Sequence, residues 1–314
     1  MSHPCTDSTA DSLFGKYTPE EFYKRHGVDH SEKFIKNRRG MSLFTQSWLP
    51  KDQKLKGLVM VCHGYGAESS WMVQLTAIGI AKRGFYVHAI DHQGHGKSEG
   101  LRGHIPNIGP VIDDCIQFFD SVREQHKELP AFLYGESLGG AICLLIHLRQ
   151  PDIWSGAVLN GAMCGISQKF KPVWPLEHLL AYVAAVVPTW PVVPTKDIPT
   201  VSFKEPWKRE LAKLNPRRYS GKPRAGTALE FLRVVKEIDE RLPEVTIPFL
   251  IVHGELDVVT DPDGCKALYA RASSTDKTMH IYEGMWHQLV GEPPENMEKV
   301  FGEIYKWLED HAAK

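Results

Sequence analysis

The chain has 314 residues, 42% hydrophobic and 24% charged, with a formal net charge of −1. Such a composition excludes a disordered chain and suits one large domain, or one domain carrying an insertion. The absence of a basic excess excludes nucleic-acid binding driven by phosphate contacts.

Residues 1–16 are polar, lack the apolar core of a secretion signal and read as a flexible tail. Thr18-Pro19-Glu20-Glu21 has the pattern of a helix start, with an N-cap, Pro at the first position and Glu at the third. Lys33–Ile35 and Ser42–Trp48 flank the turn Asn37-Arg38-Arg39-Gly40 and suggest a hairpin. Strands and helices then alternate. Leu58–Cys62 is an apolar run ending at His63-Gly64-Tyr65-Gly66. Trp71–Arg83 reads as a helix stopped by Gly84, Phe85–Ile90 as a strand, and 111–126 as a helix with apolar residues at helical spacing. The run Pro130–Tyr134 precedes Gly135-Glu136-Ser137-Leu138-Gly139, and the apolar helix Gly140–Ile146 follows. Gly156–Leu159, Ile247–Val252 and Thr278–Tyr282 are later strands, and 296–311 is a closing amphipathic helix. Continuous apolar strands separated by helices predict an α/β fold, with a mostly parallel sheet covered on both faces.

Residues 163–240 break this rhythm. They carry Pro172, Trp174, Pro175, Pro188, Trp190, Pro191, Pro194 and Trp207, and read as a cap inserted after the sixth core strand. The predicted organisation is a tail (1–16), a first core part (17–162), the cap (163–240) and a second core part (241–314). Leu179–Val187 is the most apolar stretch. Pro188 ends it, and it is too short to cross a bilayer but suited to lie on a membrane surface.

G-x-S-x-G between a buried strand and a buried helix is the setting of a nucleophile elbow, although a plain strand-to-helix turn uses the same residue types. A serine nucleophile needs a base, and the base needs an orienting acid. Asp257 follows the strand that ends at Val252, and His287 follows the strand that ends at Tyr282. The order Ser137, Asp257, His287 is that of an α/β-hydrolase triad. Glu255 is the alternative acid and His253 the alternative base, both nearer the strand end. An oxyanion hole needs two N–H groups, expected from Leu138 after the nucleophile and from Tyr65 in the loop after the early strand. Met163, Cys164, Val259 and Trp286 neighbour these positions in sequence and are candidate substrate contacts.

Other patterns lead nowhere. Gly94–Ser98 lacks the first Gly of a phosphate loop, which would stand at Asp91, and Gly64-Tyr65-Gly66 has Ser69 where a dinucleotide fingerprint needs Gly. His92 and His95 lack further metal ligands nearby and read as loop packing, and His147 with Asp152 reads as a helix end. No metal and no cofactor is expected. The six cysteines are scattered without a C-x-x-C pair, which fits free thiols in a reducing compartment and hence the cytoplasm.

The motifs at 63–66, 91–100, 135–140, 253–257 and 284–287 together resemble the monoacylglycerol lipase family of α/β-hydrolases. The match is nearest to its plant branch, which includes lysophospholipases and caffeoylshikimate esterases. The resemblance covers nearly the whole chain past Tyr17. It implies the fold, the triad, and a cap acting as a lid over an acyl pocket. The expected activity is hydrolysis of a carboxylic ester, most simply a monoacylglycerol, with caffeoylshikimate or a lysophospholipid as the alternative substrate. A ligand receptor on a hydrolase scaffold is the reading from another class, and an acyltransferase differs only in using an alcohol instead of water. The expected partner is a small ester, with membrane contact through the cap and a monomer or homodimer as the assembly.

Overall fold

A computed structural model of the chain describes residues 2–165, 176–193 and 197–314. Its centre is an eight-stranded sheet: β1 (Val28–Lys36), β2 (Ser42–Pro50), β3 (Gly57–Cys62), β4 (Phe85–Ile90), β5 (Ala131–Glu136), β6 (Gly156–Asn160), β7 (Phe249–Gly254) and β8 (Lys277–Tyr282). The spatial order is β1-β2-β4-β3-β5-β6-β7-β8. β2 runs antiparallel to both β1 and β4, and every other pairing is parallel. The hairpin and the six strands that follow it stand where the sequence predicts them, and the insertion follows β6, the sixth strand of the sheet in chain order.

Every residue of β3, β5, β6 and β7 is buried. Successive side chains of a strand point to opposite faces, so such runs require cover on both. Leu58, Met60, Leu133, Leu159 and Ile251 belong to one core, with α3 (Gly109–Arg123) and α4 (Leu138–Arg149). Val59, Val61, Phe132, Val158 and Leu250 belong to the other, with α2 (Met72–Ala81) and α10 (Pro294–Ala312). α1 (Pro19–Arg25) opens with the predicted capping box, in which Glu21 N–H donates to Thr18 Oγ1 at 3.2 Å and Thr18 N–H to Glu21 Oε2 at 3.0 Å.

Two features depart from the sequence reading. Residues 2–16 are not a loose tail. Pro4–Asp7 forms a 3-10 turn, His3, Cys5 and Leu13 are buried, and His3 N–H donates to Glu298 of α10 at 2.7 Å. These few anchors are too short a pattern to register as a periodic element. A helix that the sequence reading does not contain, α9 (Pro262–Arg271), follows β7, with Asp261 capping it by accepting from Asp263 N–H and Pro262 opening it.

The segment between β6 and β7 carries α5 (Leu176–Val186), α6 (Ile198–Ser202), α7 (Pro206–Lys213) and α8 (Ala225–Arg241). It packs in two ways. Phe203, Leu211 and Ala212 join the core that holds α2 and α10, and Val234 and Ile238 of α8 join the one that holds α3 and α4. Leu180 and Ala184 of α5 instead form a separate small cluster with Ala225 of α8. Pro172, Trp174, Pro175 and Pro194 of the sequence reading lie outside the described residues.

Candidate active site

Ser137 joins β5 to α4 with φ 54° and ψ −119°. Among the described residues only Asp52 shares a positive φ without being glycine. Such a backbone persists only where its surroundings fix it. Here Ser137 N–H donates to Asn160 O at 3.0 Å, and Met163 N–H donates to Ser137 O at 2.9 Å. The flanking glycines are obligatory, because a Cβ at Gly135 would collide with the Gly139 carbonyl and one at Gly139 with the Cys62 carbonyl.

Asp257 and His287 meet at the carboxyl ends of β7 and β8. His287 Nδ1 lies 2.6 Å from Asp257 Oδ2, and both side chains are buried. Val259 and Thr260 N–H donate to Oδ1 at 2.7 and 3.0 Å. Burial alone would raise the Asp257 pKa, but the His287 and His253 rings outweigh it and hold the carboxyl well below its ordinary range. The ring of His287 packs over Gly161, and it faces the same cavity as Ser137. Of the two alternatives, Glu255 accepts from Gly284 N–H at an exposed turn. His253 is wholly buried behind Asp257, away from the cavity lining.

Tyr65 and Leu138 both line that cavity, and among the described residues neither backbone N–H donates to a protein acceptor. The loop after β3 is held by its histidines. His63 Nε2 accepts from His92 N–H at 3.0 Å, so its Nδ1–H donates to Gly64 O at 2.8 Å. Burial pushes His63 down to about 4. Tyr65 OH donates to Gly103 O at 2.8 Å, which ties this loop to the loop between β4 and α3. His92 and His95 pack this loop as expected, and no metal-binding group of three occurs among the described residues. His147 Nε2 accepts from Thr246 N–H at 3.0 Å, a helix-end role.

A model of the hydrolase family described as serine aminopeptidase, S33, matches residues 53–294. The chain belongs to this family of α/β-hydrolases. The hydrolase is 39% identical over 319 residues to caffeoylshikimate esterase of Arabidopsis thaliana, covering 100% of this chain and 95% of that one. It is 31% identical over 278 residues to the monoglyceride lipase of Homo sapiens, covering 88% and 90%. Among solved structures it resembles a soluble variant of monoglyceride lipase from Saccharomyces cerevisiae in complex with a substrate analog, with a TM-score of 0.79, 20% identity and coverage of 90% and 95%.

The cavity of the hydrolase holds about 400 Å³ between the carboxyl ends of the strands and α5–α8. Met163 and Val259 line it as the sequence suggests, whereas Cys164 and Trp286 do not. Cys164 lies buried beside Cys265 of α9. The Trp286 ring faces the Arg209 guanidinium at 5.9 Å, while the residue's main-chain N–H donates to Glu292 Oε1 at 2.7 Å. Sequence adjacency does not carry over here because the chain turns tightly, with Cys164 N–H donating to Ala162 O at 2.9 Å. The apolar wall that sequence reasoning missed comes from Leu180, Phe203, Ala212, Phe231 and Leu232. Their helical spacing is readable, but nothing in it says which face turns to the site.

Proposed function

We propose that the protein hydrolyses carboxylic esters through an acyl-enzyme, with Ser137 as nucleophile, His287 as base and Asp257 as its orienting acid. The observation that carries this is the strained Ser137 opening onto the same cavity as an imidazole already bonded to a buried carboxylate. His287 takes the Ser137 proton as the hydroxyl attacks the carbonyl, and Asp257 stabilises the imidazolium. The N–H groups of Tyr65 and Leu138 hold the tetrahedral oxyanion. The alcohol leaves with the proton from His287, and water activated by the same imidazole releases the acid. No metal or cofactor takes part.

The substrate we favour is a monoacylglycerol. Its acyl chain suits a cavity walled by Leu138, Met163, Leu180, Phe203 and Phe231, closed by residues 163–240 acting as a lid. Leu179, Tyr182, Val186 and Trp190 are exposed on and after α5, and they suit contact with the lipid surface that presents such a substrate. No helix among the described residues is long and apolar enough to cross a membrane. The six cysteines are free and buried, which supports a cytoplasmic setting. A second reading, a caffeoyl ester, is favoured by the end-to-end 39% identity with the Arabidopsis enzyme.

Steady-state assay of 1-monooleoylglycerol, lysophosphatidylcholine and caffeoylshikimate side by side tests both readings, with Ser137→Ala as the blank. The expected result is the highest kcat/KM for the monoacylglycerol and a loss of at least about 10³-fold in the variant. Preference for caffeoylshikimate overturns the substrate reading, and full turnover by the variant overturns the mechanism.

A further inference from the structure

The carboxylate of Asp257 is more heavily bonded than the orientation of one imidazole requires. Its Oδ1 takes the two main-chain N–H groups of Val259 and Thr260. Its Oδ2 is shared by His287 Nδ1 at 2.6 Å, Thr260 Oγ1 at 2.7 Å and His253 Nε2 at 3.0 Å. Four of these donors come from the acid's own turn or from its expected partner. The fifth does not. His253 ends the buried strand β7, its ring is wholly enclosed, and its other nitrogen lies 3.3 Å from Cys265 Sγ on α9. An ionised carboxylate only accepts, so the His253 proton sits on Nε2, and Nδ1 is left to accept from the thiol.

We propose that His253 is a positioning residue for the reaction: it holds Asp257 from behind through the same oxygen that orients His287. This rests on the roles proposed for Ser137, Asp257 and His287. A carboxylate oxygen shared among three donors gives each less of its charge. Removing one donor leaves more for His287, which stabilises the imidazolium and makes His287 harder to deprotonate. The other titratable groups around the pair are Glu136 at the end of β5, Cys164 in the turn after β6, Cys265 on α9, and Asp261 at the N-cap of α9. The motif H-G-x-x-D supplies the geometry. Gly254 gives the turn that swings Asp257 back beneath His253, and a Cβ there would collide with the carbonyls of Met285 and Trp286 in the His287 loop.

The test compares His253→Asn with His253→Gln, since an Asn amide stands near the ring's Nδ1 and a Gln amide reaches the place of Nε2. The full chain is assayed on a water-soluble p-nitrophenyl ester across pH 5–9. For His253→Asn, kcat is expected to fall about tenfold with KM within about twofold, and the acid limb of kcat/KM to move up by about half a pH unit. His253→Gln is expected to keep the wild-type limb and a kcat within about threefold of wild type. Equal losses in both variants, or an unmoved limb in His253→Asn, overturn the proposal. If Ser137→Ala or His287→Ala stays active, the reading beneath falls and takes the proposal with it. A readout that needs no folded variant is the ¹⁵N-histidine spectrum of the wild type: His253 is expected as the Nε2–H tautomer, and the Nδ1–H tautomer overturns the proposal.

Discussion

The two parts of the segment between β6 and β7 cover the same cavity by opposite means. α5 contacts the rest of the protein through a small cluster with α8, and it leaves Tyr182 73% and Val186 80% exposed. α6 and α7 are fastened to the site itself. Gln288 N–H donates to Ser202 O and Glu205 N–H to Gly291 O, both at 3.0 Å, which ties them to the loop carrying His287. Lys208 Nζ, wholly buried, donates to Val290 O at 2.9 Å and Glu292 O at 2.7 Å. On the other side, Trp71 Nε1–H donates to Leu211 O at 2.8 Å, Asn215 Nδ2 to Glu68 at 2.9 Å, and Tyr219 N–H to Gly66 O at 2.9 Å. One part therefore works as a brace joining the His287 loop to the loop carrying Tyr65. The other rests, among the described residues, on that small cluster, which makes it the part of the proposed lid expected to move.

The comparison breaks most visibly at Lys208. Lys208→Ala strands two buried carbonyls and opens a void, so unfolding free energy is expected to fall by about 3 kcal/mol. Urea denaturation measures this, and kcat should fall with it because the His287 loop loses its brace. An unchanged unfolding midpoint would mean that the buried ammonium is dispensable.

Glu68 gives an effect that depends on pH. Burial and the neighbouring Asp91 raise its carboxyl to about 7, against a usual 4.5, with Ser70 and Asn215 pulling the other way. The folded chain thus binds this proton more tightly than the unfolded chain. The stabilising contribution is complete below about pH 4.5 and is lost as pH rises through about 7. Unfolding free energy measured from pH 5 to 8 should slope downward in the wild type, and Glu68→Gln should flatten that slope. Trp71→Phe keeps the ring's bulk and removes one hydrogen bond to Leu211, for an expected loss of about 1 kcal/mol in the same denaturation experiment.

Much of this was legible in the sequence, and for identifiable reasons. β3, β5, β6 and β7 announce themselves because a strand covered on both faces must be apolar throughout. Ser137, Asp257 and His287 could be paired because each follows a strand of the parallel sheet, which brings the carboxyl ends of β5, β7 and β8 to one edge, although β8 is itself a half-buried edge strand. The brace was not legible. Lys208 reads as a surface cation from composition, since lysine is rarely buried without partners, and its partners are carbonyls more than 80 residues away. His253 is a rival base by residue type, with only its nearness to the strand end counting against it in the sequence. Only the enclosed ring and its contact with Cys265 show that it faces away from the cavity. Residues 2–16 escaped because the anchors at His3, Cys5 and Leu13 have no period to detect.

The smallest effect on stability is expected on α5, and it sharpens the contrast most. Tyr182→Ser with Val186→Ser removes apolar surface that is mostly exposed among the described residues, so unfolding free energy should change by no more than about 0.5 kcal/mol. If this face meets lipid, the double variant should lose binding to phosphatidylcholine vesicles in flotation. Turnover of vesicle-borne monooleoylglycerol should drop severalfold while turnover of a soluble short-chain ester is unchanged. Equal loss on both substrates would instead make α5 part of the acyl pocket's support, and the two halves of the insertion would differ in packing but not in task. An unchanged vesicle activity would leave the exposed residues without a role at the lipid surface, and the division of labour would rest on the brace alone.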